Sequence, residues 1–444
     1  MKILKKIFKG VVPILLVLLL IFYVVLGYRE YKSYINVLPA NVDKVVKVKV
    51  DDLAIEYFLS KVKGEVESVD DIDKEHLNTG IYVPANVLLY TVKNKKSTTI
   101  FTTLPIWDSL DASNFLKKKY HFQQMSDSLG YTYLMKNDYQ WSAALTNDKM
   151  VICYAASKEK VQDVFHLVLV DHLFLSEEEY LFNSIKEADN DVTILGSSAI
   201  DHIAIDISRS HIEIDGVWEG VFRKRKQSDV IKPFKRDTTV AIKFLMHGAP
   251  YMANGNFNIG GYQLTYDSIA KYSNNFGLEV KGVTNQQESA VTYEYNDDFE
   301  KIPVVSYNNV TVPNIQMQLD AGDAVEDLEH YLRTQQIVKD SIVNKEVFPL
   351  YTLLVNNTTT SLKCTTNFDV SRDLDLNLPD DSILYLFVNF NTLFQYKELN
   401  AFSDYAKDLQ NLELQVNSSG AVYTIDGELN FNGSVANFVE LLIR

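Results

Sequence analysis

Residues 38–53 read "LPANVDKVVKVKVDDL" and residues 378–393 read "LPDDSILYLFVNFNTL". Laid over each other without a gap, they agree at Leu38/Leu378, Pro39/Pro379, Val48/Val388 and Leu53/Leu393. Val46/Leu386, Val50/Phe390 and Asp51/Asn391 agree in character. Each stretch opens on a proline that breaks the preceding segment, runs on as an apolar strand, and closes on an Asp or Asn suited to a helix N-cap. The spacing predicts a strand over 42–50, with Val42, Val46, Val48 and Val50 on one face and Lys47 and Lys49 on the other. A helix from Asp51 or Asp52 to about Lys63 should follow.

Outward from the first stretch, the acidic "EVESVDDIDKEHLNTG" reads as a loop. "VPANVLLYTV" and "STTIFTTLPI" then form a hairpin across "KNKK", and "DASNFLKKKY" forms the next helix. From the second stretch, Leu399, Phe402, Ala406 and Leu409 recur at helical spacing. Leu412, Leu414 and Val416 alternate into the turn "NSSG", and Tyr423, Ile425, Leu429 and Phe431 continue the period of two. Ser434 suits the cap of a last helix. Both ends thus read as strand, helix, hairpin, helix.

Between them, "YTYLMKNDYQWSAALTNDKMVICYA" gives strands separated by turns, and helical spacing appears from Ser157 to Phe165 and from Ser176 to about Ala188. "FGLEVKGV" and "AVTYEY" are two of the further strands, and Asp323 with Glu326 resembles a capping box. The expected fold class is α+β, with antiparallel sheets, helices packed on one face and repeated βαββα-like units behind one N-terminal transmembrane helix. The expected organisation is a basic tip and anchor at 1–28, an α+β domain at 36–190, a β-rich region at 191–310 and an α+β domain at 311–444.

The anchor is read from "VVPILLVLLLIFYVVLGY", residues 11–28, an uncharged run long enough to span a bilayer. Lys2, Lys5, Lys6 and Lys9 precede it, whereas Arg29 and Lys32 after it are offset by Glu30. The positive-inside rule therefore holds the N-terminus in the cytoplasm and sends the bulk of the chain outward. A cleaved signal peptide is the rival reading, although the apolar run is long for one. The paired "LPxxxxxxxxVxVxxL" strand–helix entries behind such a segment resemble large bacterial envelope proteins of uncharacterised function. The resemblance covers the two ends of the chain. Those families offer no established activity to carry over, and the flanking charges together with the single apolar run give the expected topology, a single-pass inner-membrane protein with its bulk in the periplasm.

Composition narrows the chemistry. The 444 residues carry 43 Lys and Arg against 58 Asp and Glu, a net charge of -15, which argues against a nucleic-acid partner. Two cysteines, Cys153 and Cys364, build neither a disulfide framework nor a zinc site, and their strand-like surroundings suggest buried thiols. HExxH, GxSxG, GxxxxGK[ST], CxxC and a GxGxxG after a strand are all missing, which points away from an enzyme. In "DHIAIDISRSHIEID", residues 201–215, His202, Asp206 and Ser208 share a strand face, a pattern open to metal or acid–base work and equally to a solvated strand. The acidic stretch 65–76 lacks the regular spacing of a calcium loop.

"FRKRKQSDVIKPFKR", residues 222–236, is a basic cluster in an acidic region. Trp218, Phe222, Arg223, Lys224, Arg225 and Lys226 are its candidate binding residues, suited to anionic lipid, a phosphorylated saccharide or an acidic partner. The expected function is a membrane-anchored, non-catalytic envelope protein that binds the bilayer through residues 11–28 and a protein partner through its modules. The alternatives are a carrier or sensor of lipid or another apolar ligand, and a hydrolase with an unrecognised site around His202 and Asp206.

Overall fold

The computed structural model describes residues 23–62, 79–126, 130–208, 210–220, 222–223, 239–247, 249–250, 256–259, 262–265, 269, 271–273, 275–295, 299–367, 373–378, 382–396 and 406–432. The chain divides into two compact units, Met1–Arg209 with Ala436–Arg444, and Ser210–Val435.

The first unit opens with helix α1, residues 23–34. Strand β1 (Val42–Lys49), helix α2 (Val50–Val62), strands β2 (Asn86–Val92) and β3 (Thr99–Pro105) and helix α3 (Ser109–Tyr120) follow. Four strands come next: β4 (Gln123–Ser126), β5 (Thr132–Met135), β6 (Trp141–Leu145) and β7 (Lys149–Ala155). Helices α4 (Gln162–Leu169) and α5 (Tyr180–Glu187) and strands β8 (Val192–Leu195) and β9 (His202–Ile207) complete it. The strands join antiparallel in the order β4-β5-β6-β7-β3-β2-β1-β8-β9. Phe165 of α4 is fully buried against Phe101, Tyr131 and Tyr133, and with Val45, Leu88, Tyr90 and Ile185 it centres the core.

In the second unit, β10 (His211–Glu219) precedes a two-residue strand β11 (Phe222–Arg223), β12 (Ile242–His247) and β13 (Ala249–Pro250). A separate hairpin joins β14 (Asn256–Ile259) to β15 (Tyr262–Thr265). Two long strands follow, β16 (Asn275–Tyr295) and β17 (Lys301–Asp320), then helix α6 (Val325–Thr334). Short strands β18 (Val338–Lys339), β19 (Ile342–Val343), β20 (Leu354–Asn357) and β21 (Ser361–Thr365) lead to β22 (Ser382–Asn389) and the one-turn helix α7 (Phe390–Leu393). The hairpin β23 (Leu409–Ser419) and β24 (Val422–Phe431) ends the described chain. The order is β10-β24-β23-β22-β12-β16-β17-β21-β20-β19-β18, antiparallel throughout. Leu328 of α6 is fully buried among Val338, Val355 and Leu362.

The expected α+β class, with helices packed on one face of repeated βαββα units, is therefore corrected. Among the described residues the protein is mostly antiparallel sheet, 47% strand against 21% helix. Two causes are visible. Runs with helical spacing form less helix than they suggest, since α5 covers Tyr180–Glu187 alone and α7 lasts one turn. Alternating runs that read as separate strands fuse instead, so that "FGLEVKGV" and "AVTYEY" are parts of the single 21-residue β16. The expected membrane span falls largely outside the described residues; only 23–28 are described, and they open α1. Among the described residues no helix is long and apolar enough to cross a membrane.

Strand β1 corrects a second expectation. Its pairing with β2 shifts between Val42 and Lys44, and beyond this irregularity the faces exchange. Val45 and Lys47, not Val46 and Val48, point into the core, each 1% exposed. Strand β22 has the same irregularity between Ser382 and Leu384 and buries Tyr385 and Phe387. Overlaid as in the sequence, the two stretches share their strand bounds, the place of the shift and the inward positions. Lys47 thus stands where the other stretch has Phe387.

A ribbon leaves the second sheet. Beyond Val283, β16 pairs only with β17 among the described residues, through Val291↔Val305, Tyr293↔Pro303 and Tyr295↔Lys301. Directly opposed residues share a face, so Val291, Tyr293, Tyr295, Val305 and Tyr307 form one exposed apolar and aromatic stripe. Gln286 fastens the stem: 2% exposed, its amide donates to the carbonyls of Thr352 and Thr366, both at 2.7 Å, and accepts from the Thr352 N–H at 3.0 Å.

Candidate binding cleft beside helix α1

Helix α1 is fixed to the first sheet by polar contacts along its length. Arg29 holds Asp51 of α2 through two bonds, Nε to Oδ2 and Nη2 to Oδ1, both 2.8 Å. Its remaining donors reach the Tyr82 hydroxyl at 3.3 Å and the Val83 carbonyl at 3.1 Å. The hydrogen bond to Asp51 raises the guanidinium pKa further, against the opposing effect of desolvation. One turn on, Ser33 and Tyr34 are buried, and the Asn86 side-chain amide donates to both hydroxyls, at 2.9 and 3.1 Å. Burial raises the Tyr34 pKa, because a phenolate there would lose its hydration.

Beneath Tyr34 lies Lys47. Its ammonium is 5.3 Å from the ring centre and donates to the Ile185 and Ala188 carbonyls, at 3.1 and 2.7 Å. Those carbonyls end α5, where the helix leaves acceptors unsatisfied and concentrates negative charge. Burial nevertheless pushes the Lys47 pKa down to about 8, aided by the neighbouring charge of Lys49.

The opposite wall is built by the approach to α3. Gly80, at φ +68°, accepts from the N–H groups of Trp107 and Asp108, at 2.8 and 3.2 Å. A side chain on Gly80 would meet the Asp108 backbone, so glycine is required both by conformation and by the close approach. Asp108 then caps α3 by accepting from Leu110 and Asp111, and the chain direction fixed there sets Trp107 at the surface, 76% exposed. The Trp107 ring meets Tyr82 edge-on at 5.0 Å, and Arg29 lies over the other ring of that pair, 5.3 Å from the Tyr82 centre.

Between these walls is a cleft of about 390 Å³. Tyr28, Lys32 and Ile35 of the α1 segment line one side, Tyr82, Pro105 and Trp107 the other, and Asp148 and Lys149 the floor. Lys149 donates to the Asn36 carbonyl at 3.2 Å and lies 4.4 Å from the Phe174 ring centre, and burial lowers its pKa. One Asp148 oxygen accepts from the Thr146 hydroxyl at 3.0 Å. The arrangement can receive an elongated molecule with an apolar body and an anionic end.

No family model matches this chain. No curated protein matches it either. Among solved structures, crystal forms I and III of TP0453 are similar over 74% of this chain and 90% of theirs, at 9% and 10% identity. Their TM-scores are 0.23 and 0.24, too low to carry an argument about fold or function.

Of the candidate site residues singled out from the sequence, none that is described lines the cleft. Trp218 is half-buried on β10 opposite Tyr423, and Phe222 and Arg223 form β11 opposite Pro250 and Ala249. Lys224, Arg225 and Lys226 lie outside the described residues. His202 and Asp206 are exposed on β9 around buried Ala204, and Asp206 accepts from the Asn190 amide at 2.8 Å. No cluster of three metal-ligating side chains occurs among the described residues. Sequence reasoning missed Tyr28, Lys32, Tyr82, Trp107 and Lys149. The usable signal was an apolar run flanked by Tyr28 and Lys32, but nothing local links it to "PIWD" at 105–108.

Proposed function

We propose that this is a membrane-anchored, non-catalytic binding protein of the bacterial envelope, with its bulk on the periplasmic face of the inner membrane and an amphiphilic ligand in the α1 cleft. The observation that carries the reading is that Tyr28 belongs both to the apolar run and to the cleft wall. An anchor that ends inside a binding cleft delivers the cleft to the membrane surface. The Arg29–Asp51 pair and the Asn86 contacts make α1 a rigid post, so the body cannot swing away from its tether. Tyr, Trp and Lys around the mouth are the side chains enriched where hydrocarbon meets headgroup.

Two measurements test it. Alkaline phosphatase fused after Arg444 should be active and a cytoplasmic reporter at the same place silent; the reverse pattern would overturn the topology. Lipid should co-purify with the gently extracted full chain and be lost in Trp107→Ala. Trp107 is exposed, so the variant should fold, and equal lipid content in both proteins would remove the cleft as the site.

A second reading, partner binding, is favoured by the β16–β17 ribbon. Among the described residues no further strand pairs with its two long edges beyond the sheet, and open edges accept a further strand. Glu288 and Glu294, exposed on the ribbon face opposite the aromatic stripe, suit a partner strand carrying basic residues. A photo-crosslinker at Tyr293 should join the full chain to one protein partner, salt-sensitively, in native membranes. Recovery of crosslink-free monomer alone would end this reading.

A further inference from the structure

The cleft lies at a definite height above the hydrocarbon, and that height restricts its ligand. With residues 11–28 across the apolar layer, Tyr28 marks the outer edge of the hydrocarbon. Helix α1 continues unbroken through residue 34, so Lys32 stands one turn further out, about 6 Å at 1.5 Å per residue. The polar layer on each side of a bilayer is roughly 5–8 Å thick, from the difference between total and hydrocarbon thickness. Lys32 is therefore level with the phosphates of the outer leaflet, and Lys149, held at the Asn36 carbonyl, faces them from further out.

Charge at this level is cationic on balance. Lys32 and Lys149 line the cleft against one carboxylate, Asp148, part of which is occupied by Thr146. Arg29 contributes little net charge, since Asp51 neutralises it. Lys32 is exposed, with its ammonium 5.8 Å from the Tyr28 ring centre at the mouth. Lys149 is held at the base by Asn36 and Phe174. Tyr28, Tyr82 and Trp107 offer apolar walls and polar rims, as needed by glycerol and the first carbons of acyl chains. A free phosphate would use the lysines and leave these aromatic walls wet.

From this juxtaposition we infer that the cleft holds the headgroup of an anionic phospholipid from the leaflet in which the anchor ends, with the phosphate between Lys32 and Lys149 and the glycerol against Trp107 and Tyr82. The inference rests on the anchored, amphiphile-binding reading above and adds the ligand's class and orientation. Lipid captured from its own leaflet need not leave the bilayer, so the acyl chains stay in hydrocarbon and a modest cleft suffices.

The test uses the full chain in nanodiscs of mixed phosphatidylglycerol and phosphatidylcholine, extracted gently, with retained lipid identified by native mass spectrometry. The wild type should retain phosphatidylglycerol above its input share. Lys32→Gln should reduce that enrichment about fivefold, the effect of one lysine near an anionic surface, whereas Lys93→Gln, on the exposed β2–β3 turn, should not. Lys149→Gln should act in the same direction, and its melting curve shows whether the fold is kept. Equal retention of both lipids, still lost in Trp107→Ala, would overturn the headgroup assignment and leave the amphiphile site standing. Retention that Trp107→Ala does not change would overturn both.

Discussion

Arg29 and Asp51 meet through two 2.8 Å bonds in a planar fork, joining the helix that leaves the apolar run to the first turn of α2. The side chains are 29% and 18% exposed, so solvent screens the pair only in part. Asp51 also lies in the first turn of α2, where a carboxylate faces the positive end of the helix.

Asp51→Ala should therefore lower the stability of the first unit by about 1–3 kcal/mol, the range for charge-assisted bonds at such a site. Limited proteolysis should reveal a new cut between residues 29 and 42, since α1 loses its main fastening. An unchanged cleavage pattern in the variant would show that Ser33, Tyr34 and Asn86 hold α1 without the ion pair.

Lys47 gives a pH signature whose sign follows from its lowered pKa, about 8 against 10.5. Below about pH 8 both folded and unfolded chains carry the proton, and the cost of burying the charge is present in full. Between about 8 and the ordinary lysine value, the unfolded chain keeps a proton that the folded chain has released, so stability rises with pH. Relative to Lys47→Met, the wild type should gain on the order of 2 kcal/mol between about pH 7 and pH 10, at 1.36 per pKa unit. Other groups titrate in the same range, so the difference between the two proteins is the quantity to measure by urea unfolding. A difference independent of pH would refute the assignment.

Gln286 is the ribbon's fastening, and Gln286→Leu should strip partners from one N–H and two carbonyls in a buried place. Each buried group left unpaired costs about 1–3 kcal/mol, with relaxation recovering part, so roughly 2–4 kcal/mol in total is expected. Hydrogen exchange should speed up at Val283–Gln287 while α6 stays protected. Uniform exchange across the second unit would instead mean that the stem is no separate element.

Cys153 and Cys364 are free thiols, and burial pushes both pKa values up to about 12. At about pH 8 roughly one molecule in ten thousand would hold a given thiolate, the reactive form. An alkylating agent should therefore label neither in the native protein and both in denaturant. Fast native labelling of either would place it in a more open site.

Several parts of this fold were legible in the chain. Strand followed by helix at 42–62, the strand at 382–389, the hairpin across "KNKK" and helix α3 form where the spacing puts them. The helix read from Asn391 to Leu409, by contrast, is described only as the one-turn α7, and Leu409 opens a strand. Asn389 rather than Asn391 caps α7, and the last helix read from Ser434 lies outside the described residues. The cleft was much less legible: Arg29 read as a weak flanking charge and Asp51 as a helix cap, with nothing nearby in sequence to join them.

What the sequence determined by itself is what acts over a few residues: turn chemistry, caps and apolar period, each set by neighbours on the same short stretch. Tertiary structure alone decided the rest, because the deciding partners are remote in the chain. The pairing shift in β1 is defined against β2, and it turned Lys47 inward to meet carbonyls at Ile185 and Ala188. The length of β16 depends on β17 lying alongside, since a two-stranded ribbon is held by cross-strand bonds and not by its own residues. Arg29 needed Asp51, Tyr82 and Val83 brought together before its charge became a fastening, and no periodicity in the chain encodes that meeting.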